Sequence, residues 1–246
     1  MSLALACRDL TLGYDRHPAV HHLDLEIEAG GLIAIVGPNG AGKSTLAKGI
    51  AGALAPLGGV IERFGLDPRA IGYLPQIAEI DRSFPMDVFD LASMGLWSRR
   101  GAFGGFTRAD TQRIHAALGS VGLSGFERRG IATLSGGQMQ RALFARLALQ
   151  EARVLVLDEP FTAVDERTTE DLLSLIAAWH AQGRTILAVL HDDALVRRHF
   201  PLTLLLAREG VAFGPAADVL TPANLARARD MCEVFERDAP DCERAA

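Results

Sequence analysis

Residues 32–45 read Leu32-Ile33-Ala34-Ile35-Val36-Gly37-Pro38-Asn39-Gly40-Ala41-Gly42-Lys43-Ser44-Thr45. The first five are a short apolar run of the kind that forms a parallel strand buried on both faces. The stretch after the loop, Ser44 to Ala53, suits a helix. A glycine-rich loop therefore sits where a strand hands over to a helix N-terminus, where free backbone N–H groups and the helix dipole attract anions. Gly37, Gly40 and Gly42 let the backbone curl around phosphate oxygens without Cβ clashes. Lys43 supplies a point charge for the β- and γ-phosphates, and the Ser44 hydroxyl is placed to bind Mg²⁺. Strand, loop and helix in this order point to a nucleoside triphosphate, where an incidental glycine-rich turn needs no such order.

A second buried-strand run, Val154-Leu155-Val156-Leu157, ends in Asp158-Glu159-Pro160. Asp158 at a strand's carboxyl end suits Mg²⁺ held through oxygen or water. Glu159 can polarise a water for attack on the γ-phosphate, which is general-base work. Two acids that merely cap the next element are the alternative, but a second carboxylate directly after the metal acid suits hydrolysis better. A third element, Leu134-Ser135-Gly136-Gly137-Gln138, precedes the amphipathic stretch Met139–Leu149. Ser135 is a good N-cap and two glycines bare the backbone, so this is a second anion-binding helix start. Two such ends in one chain bind two ligands or clasp one nucleotide between two chains.

With this pentapeptide the sequence resembles the ABC (ATP-binding cassette) ATPases from about residue 3 to about residue 220. The resemblance implies an α/β P-loop NTPase core with an N-terminal antiparallel β subdomain and an inserted helical subdomain. It also implies ATP and Mg²⁺ as cofactors. Gly37 to Thr45 then hold ATP, and Ser44, Gln76 and Asp158 hold Mg²⁺. Glu159, His191 and Gln76 are the catalytic set, and 134–138 meet the nucleotide of a partner chain. Tyr14 matches the aromatic residue that stacks on adenine, although a tyrosine near a strand end is equally suited to packing. Gln76, closing Ile71-Gly72-Tyr73-Leu74-Pro75-Gln76, matches the glutamine that senses Mg²⁺ and the attacking water. Asp165, in Thr162-Ala163-Val164-Asp165, matches the loop that touches the partner and is also a suitable N-cap for a helix from Glu166. His191, after the run Thr185–Leu190, matches the histidine that contacts the γ-phosphate.

The rest of the chain agrees with one large α/β unit. It has 246 residues, a hydrophobic content of 49% and a formal net charge of −5. No apolar run approaches the ~18 residues of a membrane span, and Arg8 and Asp9 interrupt the only opening that a signal peptide could use. No basic block invites nucleic acid. Cys7, Cys232 and Cys242 lack metal-ligand spacing and suit a reducing cytosol; the last two lie in a polar tail without an assigned role. Residues 3–30 alternate apolar and polar, which predicts antiparallel strands with one wet face. Runs at 32–36, 154–157, 185–190 and 202–206 predict the core strands. Helical patterning predicts Val88–Met94, Arg108–Leu118 with Thr107 as N-cap, and a helix after Ser135. The expected organisation is a nucleotide-binding core over 1–76 and 151–220, a helical subdomain over 77–150 and a helical tail over 221–246.

Three function classes share the phosphate loop. A soluble mechanical ATPase usually carries two cassettes or a long coiled coil, and a small kinase has no use for 134–138. The remaining class is the energising subunit of a transporter whose separate transmembrane permease receives its motion, with the cassette at the cytoplasmic face of the inner membrane. Gly72–Val88, Ser93-Met94-Gly95 and Glu159-Pro160-Phe161-Thr162 resemble the cassettes of bacterial zinc and manganese uptake systems. That resemblance implies a head-to-tail dimer, a metal-loading solute-binding protein and zinc as substrate, with manganese, iron chelates and haem as alternatives. Ile77 to Trp97 offers a docking face, with Phe84, Met86, Phe89 and Trp97 as apolar contacts and Arg99 and Arg100 as a charged rim. His17, His21 and His22 read as solvated residues, since adjacent strand residues face opposite sides.

Overall fold

Alternation builds the first layer. In the computed structural model, which describes residues 2–15, 17–67, 70–97 and 105–238, β1 (Leu3–Tyr14) and β2 (His17–Glu28) pair antiparallel along their whole lengths. In β2, Leu23, Leu25 and Ile27 are buried while Asp24, Glu26 and Glu28 are exposed, the one-sided pattern that a period of two produces. A third strand, β4 (Gly58–Arg63), which the sequence reading did not anticipate, pairs with the other side of β1.

The continuous apolar runs form the second layer. β3 (Leu32–Val36), β6 (Val154–Asp158), β7 (Thr185–Val189) and β8 (Leu202–Ala207) lie in a six-stranded sheet. Its order is β5-β6-β7-β3-β8-β9, with β5 (Ile71–Leu74) at one edge and β9 (Glu209–Pro215) at the other. All neighbours are parallel except β9, which folds back antiparallel on β8. Ile33, Ile35, Val154, Val156, Leu187 and Val189 face the antiparallel sheet and α1 (Lys43–Ala51). Their alternates, Ala34, Val36, Leu155, Leu157, Ile186 and Ala188, face the remaining helices. Both faces are covered, so these strands are almost wholly apolar, with Thr185, Thr203 and the terminal Asp158 as their buried polar residues.

On that second face lie α2 (Val88–Ser93), α3 (Arg108–Ser120) and α4 (Gly136–Gln150). They are followed by α5 (Glu166–Ala181), α6 (Asp193–His199), α7 (Ala216–Val219) and α8 (Pro222–Asp238). The helices at 88–150 do not have a core of their own; Leu91, Ile114 and Leu143 belong to the same apolar cluster as Leu155 and Leu157. Helix starts follow the capping rules. Asp87, Thr107, Ser135 and Asp165 each accept a backbone N–H of the first turn, and Thr107–Asp110 and Ser135–Gln138 close full capping boxes.

Two expectations fail here. His21 is buried, not solvated. Register shifts around Leu10 and the positive φ of Asp9 and His22 break the simple alternation, and His22 Nδ1 lies 2.7 Å from Asp9 Oδ1. Cys232 is not in a polar tail either: Leu225, Ala228 and Cys232 form a narrow stripe that places α8 against the core. Their 3- and 4-residue spacing was masked by charged neighbours. Cys242 lies outside the described residues.

The joint between α4 and α5 is an aromatic stack: Phe144 and Trp179 are both buried, with ring centroids 5.7 Å apart and planes 14° from parallel. Phe144→Ala is expected to lower unfolding free energy by about 3–5 kcal/mol, seen as a lower urea midpoint by circular dichroism. An unchanged midpoint would contradict this packing.

Candidate functional site

The carboxyl ends of β3, β5, β6 and β7 converge on one place, because parallel strands end on the same side of their sheet. After β3 the chain turns through residues 37–42 into α1. Gly37 has φ +151°, and a Cβ there would come within 2.0 Å of the Leu206 carbonyl oxygen. Gly42 has φ +88°, and a Cβ there would come within 2.4 Å of the Ala19 carbonyl oxygen. The loop is thus pressed between β8 and β2 at positions that only glycine can occupy. Asn39 and Gly40 are exposed at its tip. Asn39 to Thr45, with Ala19, Glu159 and His191, line a cavity of about 300 Å³.

Lys43 is the first residue of α1 and is buried; its Nζ donates to the carbonyls of Gly37 and Pro38 at 2.8 Å each. Burial lowers its pKa, although Glu159 and Asp158 pull it back up. Ser44 Oγ donates to Asp158 Oδ1 at 3.0 Å. Asp158, the last residue of β6, is fully buried, and burial raises its carboxyl above the usual range against the hydrogen bonds that lower it. Its other oxygen accepts the Tyr73 hydroxyl at 3.3 Å.

Glu159 is the hub. Its Oε1 accepts Gln76 Nε2 at 2.9 Å and meets His191 Nε2 at 2.8 Å, and its Oε2 accepts the Thr162 hydroxyl at 3.0 Å. Burial pushes this carboxyl up, but the hydrogen bonds from His191 and Thr162, with the charge of Lys43 behind them, outweigh it and hold the pKa below its ordinary value. The residue has φ +51°, a left-handed backbone at a non-glycine position, so the turn after β6 is strained where the carboxylate is aimed. Gln76 Nε2 also reaches Ser44 Oγ at 3.0 Å. Gln76, Ser44, Asp158, Glu159 and His191 therefore form one connected network.

The other expected residues lie apart from it. Tyr14 is 48% exposed at the tip of the β1–β2 hairpin, so its ring is not core packing, and it does not line the cavity. Leu134 to Gln138 are also absent from that lining; Ser135 is exposed while Leu134 is buried. Asp165 caps α5 through Thr168 N at 2.7 Å. Phe84 and Trp97 are exposed at 58% and 43%, whereas Met86 and Phe89 are half-buried against the core. Arg99 and Arg100 lie outside the described residues. Sequence reasoning gave no role to Thr162 or Tyr73. Tyr73 sits three residues before Gln76 on β5, a spacing that could have suggested it. Among the described residues no helix is long and apolar enough to cross a membrane.

A family model described as ABC transporter matches residues 20–162. The manganese transport system ATP-binding protein MntB of Bacillus subtilis (strain 168) is 38% identical over 221 residues, covering 88% of each chain. The chain belongs to the ABC transporter family. The zinc transport system ATP-binding protein TroB of Treponema pallidum (strain Nichols) is 37% identical over 229 residues, 92% of this chain and 86% of its own. Among solved structures, an inward-facing metal-chelate type ABC transporter superposes with a TM-score of 0.81 at 30% identity, covering 93% of this chain and 90% of that one. Membership in the ABC transporter family carries ATP hydrolysis coupled to transport.

In this ABC chain the buried Asp158 carboxylate has a stability consequence. Its pKa is raised on folding, so the folded state holds the proton more tightly and ionisation is unfavourable to folding. The penalty is absent below the unfolded pKa of about 4, grows as pH rises towards the folded value and is complete above it. Asp158→Asn without nucleotide at pH 7 is therefore expected to raise the melting temperature, with the gain shrinking at acid pH. A lower melting temperature at pH 7 would show that the ionised carboxylate is favourable.

Proposed function

We propose that this chain is the ATP-binding and hydrolysing subunit of an importer for a divalent metal ion, with zinc as the substrate. The observation that carries hydrolysis is Glu159, whose carboxylate meets both Gln76 and His191 beside the phosphate loop. The names of the relatives support metal uptake and include both manganese and zinc; the stretch from Gly72 to Gly95 resembles cassettes of both kinds, and zinc is our choice between them.

In this reading Gly37 to Thr45 cradle the phosphates, and Lys43 exchanges the carbonyls of Gly37 and Pro38 for phosphate oxygens. Tyr14 offers its exposed ring to adenine. Mg²⁺ fits the donor set, since Ser44 Oγ and Asp158 Oδ1 are hard oxygen ligands 3.0 Å apart, and Gln76, whose Nε2 meets Ser44 Oγ, would add its amide oxygen by turning that group over. Those residues would hold it, and when bound it neutralises phosphate charge. Glu159 accepts a proton from the attacking water while His191 and Gln76 orient the carboxylate and the γ-phosphate.

Because 134–138 do not line the cavity of their own chain, we assign them to the nucleotide of a second copy. Ser135 and Gly137 complete the site around the partner's phosphate loop in a head-to-tail dimer, with Asp165 at the contact. The exposed Phe84 and Trp97 belong to the face on which a separate transmembrane permease rests. That permease holds the cassette peripherally at the cytoplasmic side of the inner membrane and receives metal from a solute-binding protein.

Glu159→Gln is expected to retain ATP binding and lose hydrolysis by ~10²–10⁴-fold, while Lys43→Ala weakens binding itself. With ATP and Mg²⁺ the Gln variant should become dimeric in light scattering, and Ser135→Arg should prevent this. Near-normal turnover in the Gln variant would remove Glu159 from its role.

For coupling, Phe84→Asp should fold and hydrolyse ATP but fail to drive uptake of radioactive zinc into vesicles containing permease and binding protein. Normal uptake would displace the docking face. Uptake of manganese alone by the wild type would correct the substrate.

A further inference from the structure

We infer that Arg82 is a positioning residue that holds the turn at Leu134-Ser135 in place and ties it to the segment carrying Gln76. The inference rests on the two-chain ATP site proposed above.

The segment from 76 to 83 is anchored at three successive points. Gln76 reaches Ser44 and Glu159. Three residues on, Glu79 Oε1 meets Lys48 Nζ of α1 at 2.6 Å, with Ile77 and Ile80 against the core. Three residues further, Arg82 Nη1 donates to the Leu134 carbonyl at 3.1 Å. One short stretch of chain thus runs from the catalytic carboxylate to the first residue of the signature.

The acceptor is well chosen. Leu134 lies one residue before the N-cap Ser135, so its carbonyl is outside the helical ladder of α4 and needs a donor from elsewhere. A guanidinium makes a charge-assisted bond there, stronger than a neutral one. Asp81 directs its carboxylate to Ser83 N and Oγ, at 2.8 and 2.6 Å, which leaves the Arg82 guanidinium to the Leu134 carbonyl. Backbone bonds extend the tie: Ile131 N donates to Met86 O and Val88 N to Arg129 O, both at 3.0 Å. These bonds join residues 82–88 and 129–134 into one strip.

Arg82 does not line the phosphate-loop cavity of its own chain. Arg82→Ala should therefore leave the nucleotide affinity of the monomer near wild type and lower its melting temperature by no more than the few degrees that one lost hydrogen bond costs. In the Glu159→Gln background it should raise the ATP concentration needed for dimerisation ~10-fold or more. Arg82→Lys, which keeps the charge but not the planar fork, should recover part of the loss. Dimerisation of the Ala variant at the parent's ATP concentration would overturn the inference, as would an equal loss of monomer nucleotide binding or a marked fall in melting temperature. Failure of the Glu159→Gln parent itself to dimerise would instead bring down the two-chain site, and this inference with it.

Discussion

The close approach of backbone to backbone at Gly37 and Gly42 is the contact on which the site depends. With the Leu206 carbonyl on one side and the Ala19 carbonyl on the other, the loop has no room for a side chain at either position, so it can bend only one way. That bend brings Lys43 under its own loop and faces Ser44 to Asp158 across the end of the sheet. A loop displaced by the width of one methyl group would separate the hydroxyl from the carboxylate. The glycine positions therefore act through geometry first, and the charge of Lys43 is delivered by it.

Around this turn the molecule sets two opposite charges in poor solvent. Burial lowers the ammonium pKa of Lys43 and raises the carboxyl pKa of Asp158. Both ionised forms are therefore disfavoured by their surroundings and depend on hydrogen bonds for compensation. Such an arrangement is unfavourable to an isolated chain and suits one that meets a polyanion and a cation in the course of its work. Glu159 differs, since three polar neighbours hold it ionised in a strained turn. Two adjacent carboxyls are thus driven in opposite directions by their environments.

Much was legible in advance because the chemistry is local in sequence. The phosphate loop, the acids at the end of β6, the capping serine at 135 and the aspartate cap at 165 each combine a residue type with an element boundary. Local interactions enforce those boundaries. The continuous apolar runs announced a sheet covered on both sides. Less was legible where packing is long-range or periodicity is broken. His21 is buried because register shifts displace the alternation of β2. Cys232 is buried because three small or apolar residues suffice to dock α8. The strand β4 and the return strand β9 are rich in glycine and charge, and it is pairing with β1 and β8 that makes them strands.

By itself the sequence determined which groups could bind phosphate and which carboxylates could serve a metal or a water. Backbone N–H exposure, glycine freedom and capping are properties of a few neighbouring residues. Tertiary structure alone decided that Gln76, Glu159 and His191 share one carboxylate, that Tyr73 touches Asp158, and that Arg82 reaches the Leu134 carbonyl. Their partners lie tens of residues away: the order in which parallel strands pack brings the strand ends together, and the packing of the segments at 76–88 and 129–134 brings Arg82 to Leu134.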